Sequence, residues 1–360
     1  MRIGIITLSA SDNYGAMLQA FALQEYIKSL GHETYIIDYL PEYKLRNYRP
    51  FILNRWLSKS PIKTLRKIKD EAPKYPCRVL RHKRALKFRN TYFNLYPYTQ
   101  GMDFHEFDAI VLGSDQIWNP QNTNNCLEDI YWGVGANCKV VSYAPSMGRA
   151  SLDKKDVAYV SMALENMNNI SVRESSMIDV LQPLTKKTIT QVIDPTFLLS
   201  RDNYEPLVEE PRIDKPYMLL FDLFERPSTL VFALKFAEKN NCKLIRLQGA
   251  ISAPFWRKDV VQTATVGVFL GLIKAAKCVI TSSFHGMAFS IIFNKPFYSI
   301  RQHSQIDLRA ESILDKIGLK DRMVDDTCDI VFTGIDYNPV MERISDVTSI
   351  SKEYLLQAFS

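Results

Sequence analysis

The sequence predicts an α/β protein made of two doubly wound, Rossmann-like domains that face a cleft. Strand and helix patterns alternate along nearly the whole chain, and the strand runs are short, apolar and rich in β-branched residues, as in parallel sheets covered on both faces. At 360 residues with 46% hydrophobic residues, the chain can bury more core than one compact unit usually holds. A Pro- and charge-rich stretch over 201–216 divides the pattern in two.

In order, residues 1–8 read as a strand, 14–30 as an amphipathic helix stopped by Gly31, and 34–39 as the strand that closes a βαβ unit. Pro41 breaks the pattern, and a basic segment at about 42–100 reads as an insertion. Within it Trp56, Leu57, Ile62, Leu65 and Ile68 alternate with cations at helical spacing. The strand pattern resumes at 108–113, 139–143, 170–173 and 188–193. Past the boundary it restarts, with strands at 217–222, 242–247, 278–282 and 297–300 and helices at 227–240, 264–276, 285–293 and 306–317. The expected domains are 1–200 with the insertion, 215–335, and a last helix within 338–360 that crosses back onto the first domain.

Composition narrows the function. The N-terminal apolar run is too short for a signal peptide, no run reaches membrane-spanning length, and the six cysteines are scattered without metal-ligand spacing. These features predict a cytoplasmic protein from a reducing compartment, with no metal site. The net charge of +6 is concentrated in the insertion, where Lys59, Lys63, Arg66, Lys67, Lys69 and Lys74 meet few acids. Such a block is a footprint for phosphate groups or equally a solvated helical face. No nucleic-acid-binding motif accompanies it, so no nucleic-acid partner is expected. The reading adopted for the block is peripheral contact with the inner face of the cytoplasmic membrane.

Ligand contacts in such a fold gather on the turns that leave the carboxyl ends of strands. The first turn, Asn13-Tyr14-Gly15, runs into a helix whose free N–H groups attract anions, although Asn13 serves equally as a helix cap. Ser114-Asp115-Gln116 with Trp118 sets a hydroxyl, a carboxylate and an amide beside an aromatic ring. Arg173-Glu174 ends a strand with a guanidinium suited to clamping a carboxylate or phosphate, or with a structural ion pair. Asp194-Pro195-Thr196 reads as a hinge turn or a site. Ser282-Ser283-Phe284-His285-Gly286 places a histidine in the first turn of a helix, where the dipole disfavours the imidazolium unless an anion offsets it. His285 is the foremost candidate for a general acid or base, and His303 is a second histidine at a strand end.

Taken with Gly113, Ile117 and Ser142-Tyr143-Ala144, these motifs resemble the polysaccharide pyruvyltransferase family in order and spacing over nearly the whole chain outside the basic segment. The resemblance implies a GT-B-like fold and transfer of a pyruvyl group from phosphoenolpyruvate to a sugar of a bacterial polysaccharide or its precursor, forming a ketal. It needs no cofactor beyond that co-substrate. It implies His285 as the family's histidine and Arg173 as its strand-end arginine; the catalytic groups expected are His285 as proton donor and Asp115 or Glu174 as acceptor of the hydroxyl protons. Arg173, Ser282, Ser283, Gly286 and Arg301 would bind the donor, and Asn13, Tyr14, Gly15, Ser114, Gln116 and Trp118 an acceptor that could be linked to a lipid diphosphate. Better-known members carry Arg-Leu before the histidine. Ser283 and Phe284 stand there in this chain, so Arg301 or Arg309 must supply that cation. The alternative functions are a nucleotide-sugar glycosyltransferase in the same cleft and a non-catalytic glycan- or anion-binding relative.

Overall fold

The computed structural model describes the chain except residues 42, 44–48, 149–150 and 305–306 and the side chains of 54 and 55. The cations Lys44, Arg46 and Arg149, and the Arg55 side chain, therefore lie outside the described part. The first half is a parallel sheet of β1 (Arg2–Ile6), β2 (Glu33–Asp38), β3 (Leu95–Pro97), β4 (Ala109–Leu112) and β5 (Lys139–Ser142), in the order β3-β2-β1-β4-β5. A parallel pair, β6 (Ile170–Val172) and β7 (Ile189–Gln191), extends it through a bridge between Val141 and Asn169. Ser142 and Ser171 tie this seam by exchanging hydroxyl bonds to each other's carbonyl oxygens at 2.9 and 2.7 Å.

The second half repeats the plan with β8 (Tyr217–Asp222), β9 (Lys243–Gln248), β10 (Val260–Val261), β11 (Cys278–Thr281), β12 (Phe297–Ile300) and β13 (Met323–Val324). Its order is β10-β9-β8-β11-β12-β13, again with parallel pairing. Strands β4, β8, β11 and β12 are buried at every position, which is why they read as unbroken apolar runs. In both sheets the order reverses at one point, β1/β4 and β8/β11, and the crevices that open there face each other. Helix Tyr337–Phe359 starts on the second unit, where Tyr337 Oη donates to Lys295 O at 2.6 Å, and ends on the first, where Tyr354 Oη donates to Ser142 O at 2.8 Å. The result is a two-domain, GT-B-like fold.

Two elements differ from their sequence reading. Helix Tyr14–Ser29 is not amphipathic: Tyr14 through Gln24 are all buried, because the helix is wedged between the two units, with Tyr14 stacked on Phe269 at 5.0 Å. Its polar residues are bonded inside, Gln19 to Thr7 at 2.9 Å and Gln24 to Tyr92 O at 2.9 Å. The basic segment is not wholly an insertion either. Leu95–Pro97 forms the edge strand β3, a place where proline is tolerated, and helix Tyr75–Tyr92 buries Ala85 and Phe88 against the first unit. Arg81 on that helix donates to Asp12 O at 2.9 Å and to Gln248 O and Gln262 O at 3.3 Å each, so one guanidinium holds both halves. Among the described residues, no helix is long and apolar enough to cross a membrane.

Candidate functional site

A cavity of about 550 Å³ lies between the opposed crevices, lined by Asn13, Asp115 and Gln116 from the first unit and by Ser283, His285 and Arg309 from the second. Two helix N-termini open onto it. Asn13 caps helix Tyr14–Ser29 by accepting from Gly15 N at 2.9 Å and Ala16 N at 3.3 Å. Ser283 caps helix Phe284–Ile292 by accepting from Gly286 N at 3.4 Å. Each cap fills one or two of the orphan donors of a first turn, and the remaining positive field faces the cavity.

Gly15 and His285 meet where these helices converge. A Cβ at Gly15 would lie 2.1 Å from His285 Nδ1, so the glycine is required by space and not by backbone angle. Gly286 answers a different demand, since a Cβ there would lie 2.4 Å from Thr281 Oγ1 and hold the helix off its own strand. The His285 ring is buried, and Nε2 has no hydrogen-bond partner among the described residues, the Asp194 carboxylate being 3.8 Å away. Burial lowers its pKa; Asp194 and Asp115 oppose that, and Arg173 and Arg309 add to it. The resting ring is therefore biased toward the neutral form.

Behind the histidine lies a buried charge network. Arg173 donates from Nη1 to Asp194 Oδ2 at 2.7 Å and from Nε to Glu174 Oε1 at 3.1 Å, and its guanidinium covers the Phe284 ring at 5.2 Å. Burial works against its charge, but Glu174 and Asp194 outweigh that and raise its pKa. Burial also raises the Asp194 carboxyl, yet His285 when it carries a proton, the Arg173 charge and the Thr196 N–H and Oγ1 donors, at 3.0 and 2.8 Å, hold it below the usual carboxylate value. Arg173 Nη2, Glu174 Oε2, His285 Nε2 and Arg309 Nε are buried atoms with no partner among the described residues. Buried polar atoms are ordinarily satisfied, so this concentration marks a place built to receive something else.

The residues expected at the site divide accordingly. Asn13, Asp115, Gln116, Ser283 and His285 line the cavity, and Gly15, Arg173 and Glu174 support it. Asp115 has a left-handed backbone, φ 72°, and caps its own turn by accepting from Gln116 N at 2.9 Å. Ser114 is buried against Asp194 at 3.5 Å. Tyr14 packs in the interdomain core, and its buried hydroxyl has no partner among the described residues. Trp118 is no acceptor contact: it is fully buried, stacked on Trp132 at 4.3 Å, with Nε1 donating to Tyr131 O at 2.8 Å. Ser282 turns inward to donate to Asp222 Oδ1 at 2.6 Å. Arg301 is drawn off by Glu311 at 2.5 Å, and the exposed His303 pairs with Asp325 at 2.8 Å, so neither reaches the cavity.

Among the described lining residues the cation is Arg309, in the first turn of helix Asp307–Lys316, with no ion pair among the described residues. Burial, and then the like charge of Arg173, lower its pKa. Sequence reasoning also passed over the run 121–125, whose Gln121, Asn122, Asn124 and Asn125 line the same cavity as the histidine. The signal was present as a cluster of amides just past a strand-end turn. Among the described residues no group of three or more histidine, cysteine or acidic side chains is placed to hold a metal ion.

The chain is similar in overall structure to a UDP-N-acetylglucosamine 2-epimerase from Rickettsia bellii, at 10% identity and a TM-score of 0.47, covering 99% of this chain and 95% of that one. A UDP-GlcNAc 2-epimerase from Methanocaldococcus jannaschii is similar at 12% identity and 0.45, covering 96% and 92%. A glycosyltransferase from Streptomyces nogalater is similar at 12% identity and 0.43, covering 99% and 97%. Among curated proteins none matches. The family profile described as Polysaccharide pyruvyl transferase matches residues 13–304, a span that runs from the Asn13 cap past His285. The chain therefore belongs to the polysaccharide pyruvyl transferase family.

Proposed function

We propose that this transferase moves the pyruvyl group of phosphoenolpyruvate onto two hydroxyls of one sugar, forming a ketal and releasing phosphate. The observation that carries this reading is the convergence on one cavity of a buried histidine, two helix N-termini and Arg309, which has no ion pair among the described residues. A small, highly charged enol ester supplies the negative charge that such a set lacks. Its arrival offsets both burial and the helix dipole, and so makes His285 an imidazolium when the donor is bound.

The imidazolium gives its proton to the methylene carbon, and the electron pair of the C=C bond forms the new C–H bond. The neighbouring carbon becomes oxocarbenium-like, and one sugar oxygen bonds to it while Asp115 accepts that hydroxyl's proton. The C–O bond to phosphate then breaks, with Arg309 and the helix N-termini stabilising the leaving dianion, and the second hydroxyl closes the ketal. Of the two hydroxyl protons, one restores the imidazolium and the other leaves with phosphate. Glu174 acts through Arg173 by holding its guanidinium in place. The test is phosphate release from phosphoenolpyruvate over an acceptor panel, in which His285→Ala is expected to retain the fold and lose ketal formation. Release of nucleotide from a sugar nucleotide by the unaltered protein would replace this reading with glycosyl transfer.

We further propose that the acceptor is carried on a lipid diphosphate and met at an anionic membrane surface. Helix Pro61–Glu71 has no buried residue, leaving Ile62 82% and Leu65 70% exposed beside Lys63, Arg66 and Lys69. Exposed Phe255 and Trp256 adjoin this arm, where Phe255 N donates to Pro73 O at 2.9 Å. An apolar stripe flanked by cations is the chemistry of an interfacial helix. Sedimentation with vesicles containing anionic lipid, but not with neutral ones, is expected, and Ile62→Glu with Leu65→Glu should abolish it. Self-association that buries this face instead would overturn the proposal.

A further inference from the structure

Two kinds of chemistry line the cavity. One is His285 with Arg309. The other is a wall of carboxamides, Gln116, Gln121, Asn122, Asn124 and Asn125, and among the described lining residues the only charged side chains are Asp115 and Arg309.

This wall is held in shape. Gln116 Oε1 accepts from Asn119 Nδ2 at 2.9 Å and from Asn122 Nδ2 at 2.7 Å. That use of the amides leaves Gln116 Nε2 as a donor and Asn122 Oδ1 as an acceptor, neighbours without another partner among the described residues. Gly148, left-handed at φ 68°, lies beneath them, where a Cβ would sit 2.6 Å from Asn119 Nδ2 and 3.2 Å from Gln116 Oε1. Asn124 and Asn125 are both left-handed, at φ 58° and 59°, a conformation asparagine tolerates better than most residues. The turn is closed by Asn125 N donating to Pro120 O at 2.7 Å and Thr123 Oγ1 donating to Cys126 O at 2.6 Å.

A fixed donor beside a fixed acceptor matches adjacent sugar hydroxyls, each of which both gives and takes a hydrogen bond. It does not match a diphosphate, which only accepts and demands cations. We infer that Gln116 and Asn122, with the amides of Gln121, Asn124 and Asn125, form the acceptor subsite, and that it takes an uncharged sugar ring. Any phosphate carrying the acceptor lies outside the cavity. Asp115, the chain neighbour of Gln116 and a lining residue of the same cavity, is then beside the hydroxyls it must deprotonate. This inference rests on the pyruvyl-transfer reading for the identity of the second ligand, and its test separates the two.

The probes are a panel of neutral and uronic-acid methyl glycosides at millimolar concentration, observed by saturation-transfer NMR on the full chain without phosphoenolpyruvate. Binding of at least one neutral glycoside in preference to its uronic counterpart is expected. Asn122→Ala and Gln116→Ala should each weaken it about tenfold, the worth of one lost directed hydrogen bond. Phosphoenolpyruvate binding by calorimetry should change by less than about twofold, which also reports that each variant is folded. Preference for the uronic glycosides, no binding by any neutral one, or equal loss of both ligands overturns the subsite. Neutral-glycoside binding that depends on Asn122, without phosphate release from phosphoenolpyruvate, leaves the subsite standing and removes the pyruvyl reading.

Discussion

The cations at the cleft and the cations of the arm follow opposite rules. Arg173 is buried, its fork committed to Asp194 and Glu174, and Arg309 is held near it with no carboxylate of its own among the described residues. Helix Pro61–Glu71 has no buried residue, and its Lys63, Arg66 and Lys69 stand exposed to water. In the cleft each charge is felt by name, because low dielectric leaves nothing else to answer it. On the arm charge acts collectively and salt screens it. Helix Tyr75–Tyr92 lies between these extremes, with Arg81 buried and spending its donors on backbone carbonyls of both halves.

Substitutions should sharpen that contrast. The largest effect is expected for Arg173→Ala, which strands Asp194 and Glu174 as buried carboxylates and should cost about 3–5 kcal/mol of stability by denaturant unfolding, together with activity. Arg173→Lys should keep the fold better yet lose most turnover, since an ammonium cannot reproduce the fork. Gly15→Ala, a change that stabilises most helices, should here displace the His285 ring and lower turnover about a hundredfold or more. Arg81→Ala should cost about 3 kcal/mol and loosen the two halves, read as faster proteolysis between them.

The titration of His285 gives a smaller effect with a defined sign. Its pKa in the folded protein is lowered, so below about pH 6.5 the unfolded chain binds more protons than the folded one. The ligand-free protein should therefore lose stability as pH falls through that value toward the folded-state pKa, and His285→Gln should flatten the slope. Phosphoenolpyruvate binding should take up a proton, measurable by calorimetry in buffers of different ionisation enthalpy. Zero uptake would remove the imidazolium from the mechanism. Smallest of all, Lys63→Gln with Arg66→Gln should leave turnover on a free glycoside unchanged within about twofold while weakening vesicle binding, more so at low salt.

Legibility in the sequence tracked local physics. Buried parallel strands announce themselves as apolar runs, and the caps Asn13 and Ser283 as polar residues before helices, so both sheets and the His285 turn were readable. Trp118 misled because an aromatic beside Ser-Asp-Gln looks like a sugar platform, and only the stacked Trp132, fourteen residues away in the chain, shows it to be core. The sequence leaves both Arg301 and Arg309 open as the cation that stands in before the histidine. Their roles turned on which of them Glu311 reaches, a matter of rotamer and helix phase.

The chain by itself determined two doubly wound units, the turns that bear chemistry and the family, because periodicity, capping and strand-end motifs are encoded within a few residues of one another. Only the tertiary structure decided that the first helix is sealed between the units, that Gly15 exists to admit the His285 ring, and that an amide wall shares one cavity with His285 and Arg309. Those facts depend on contacts between residues hundreds of positions apart, where burial and opposing charge, rather than local propensity, set the outcome.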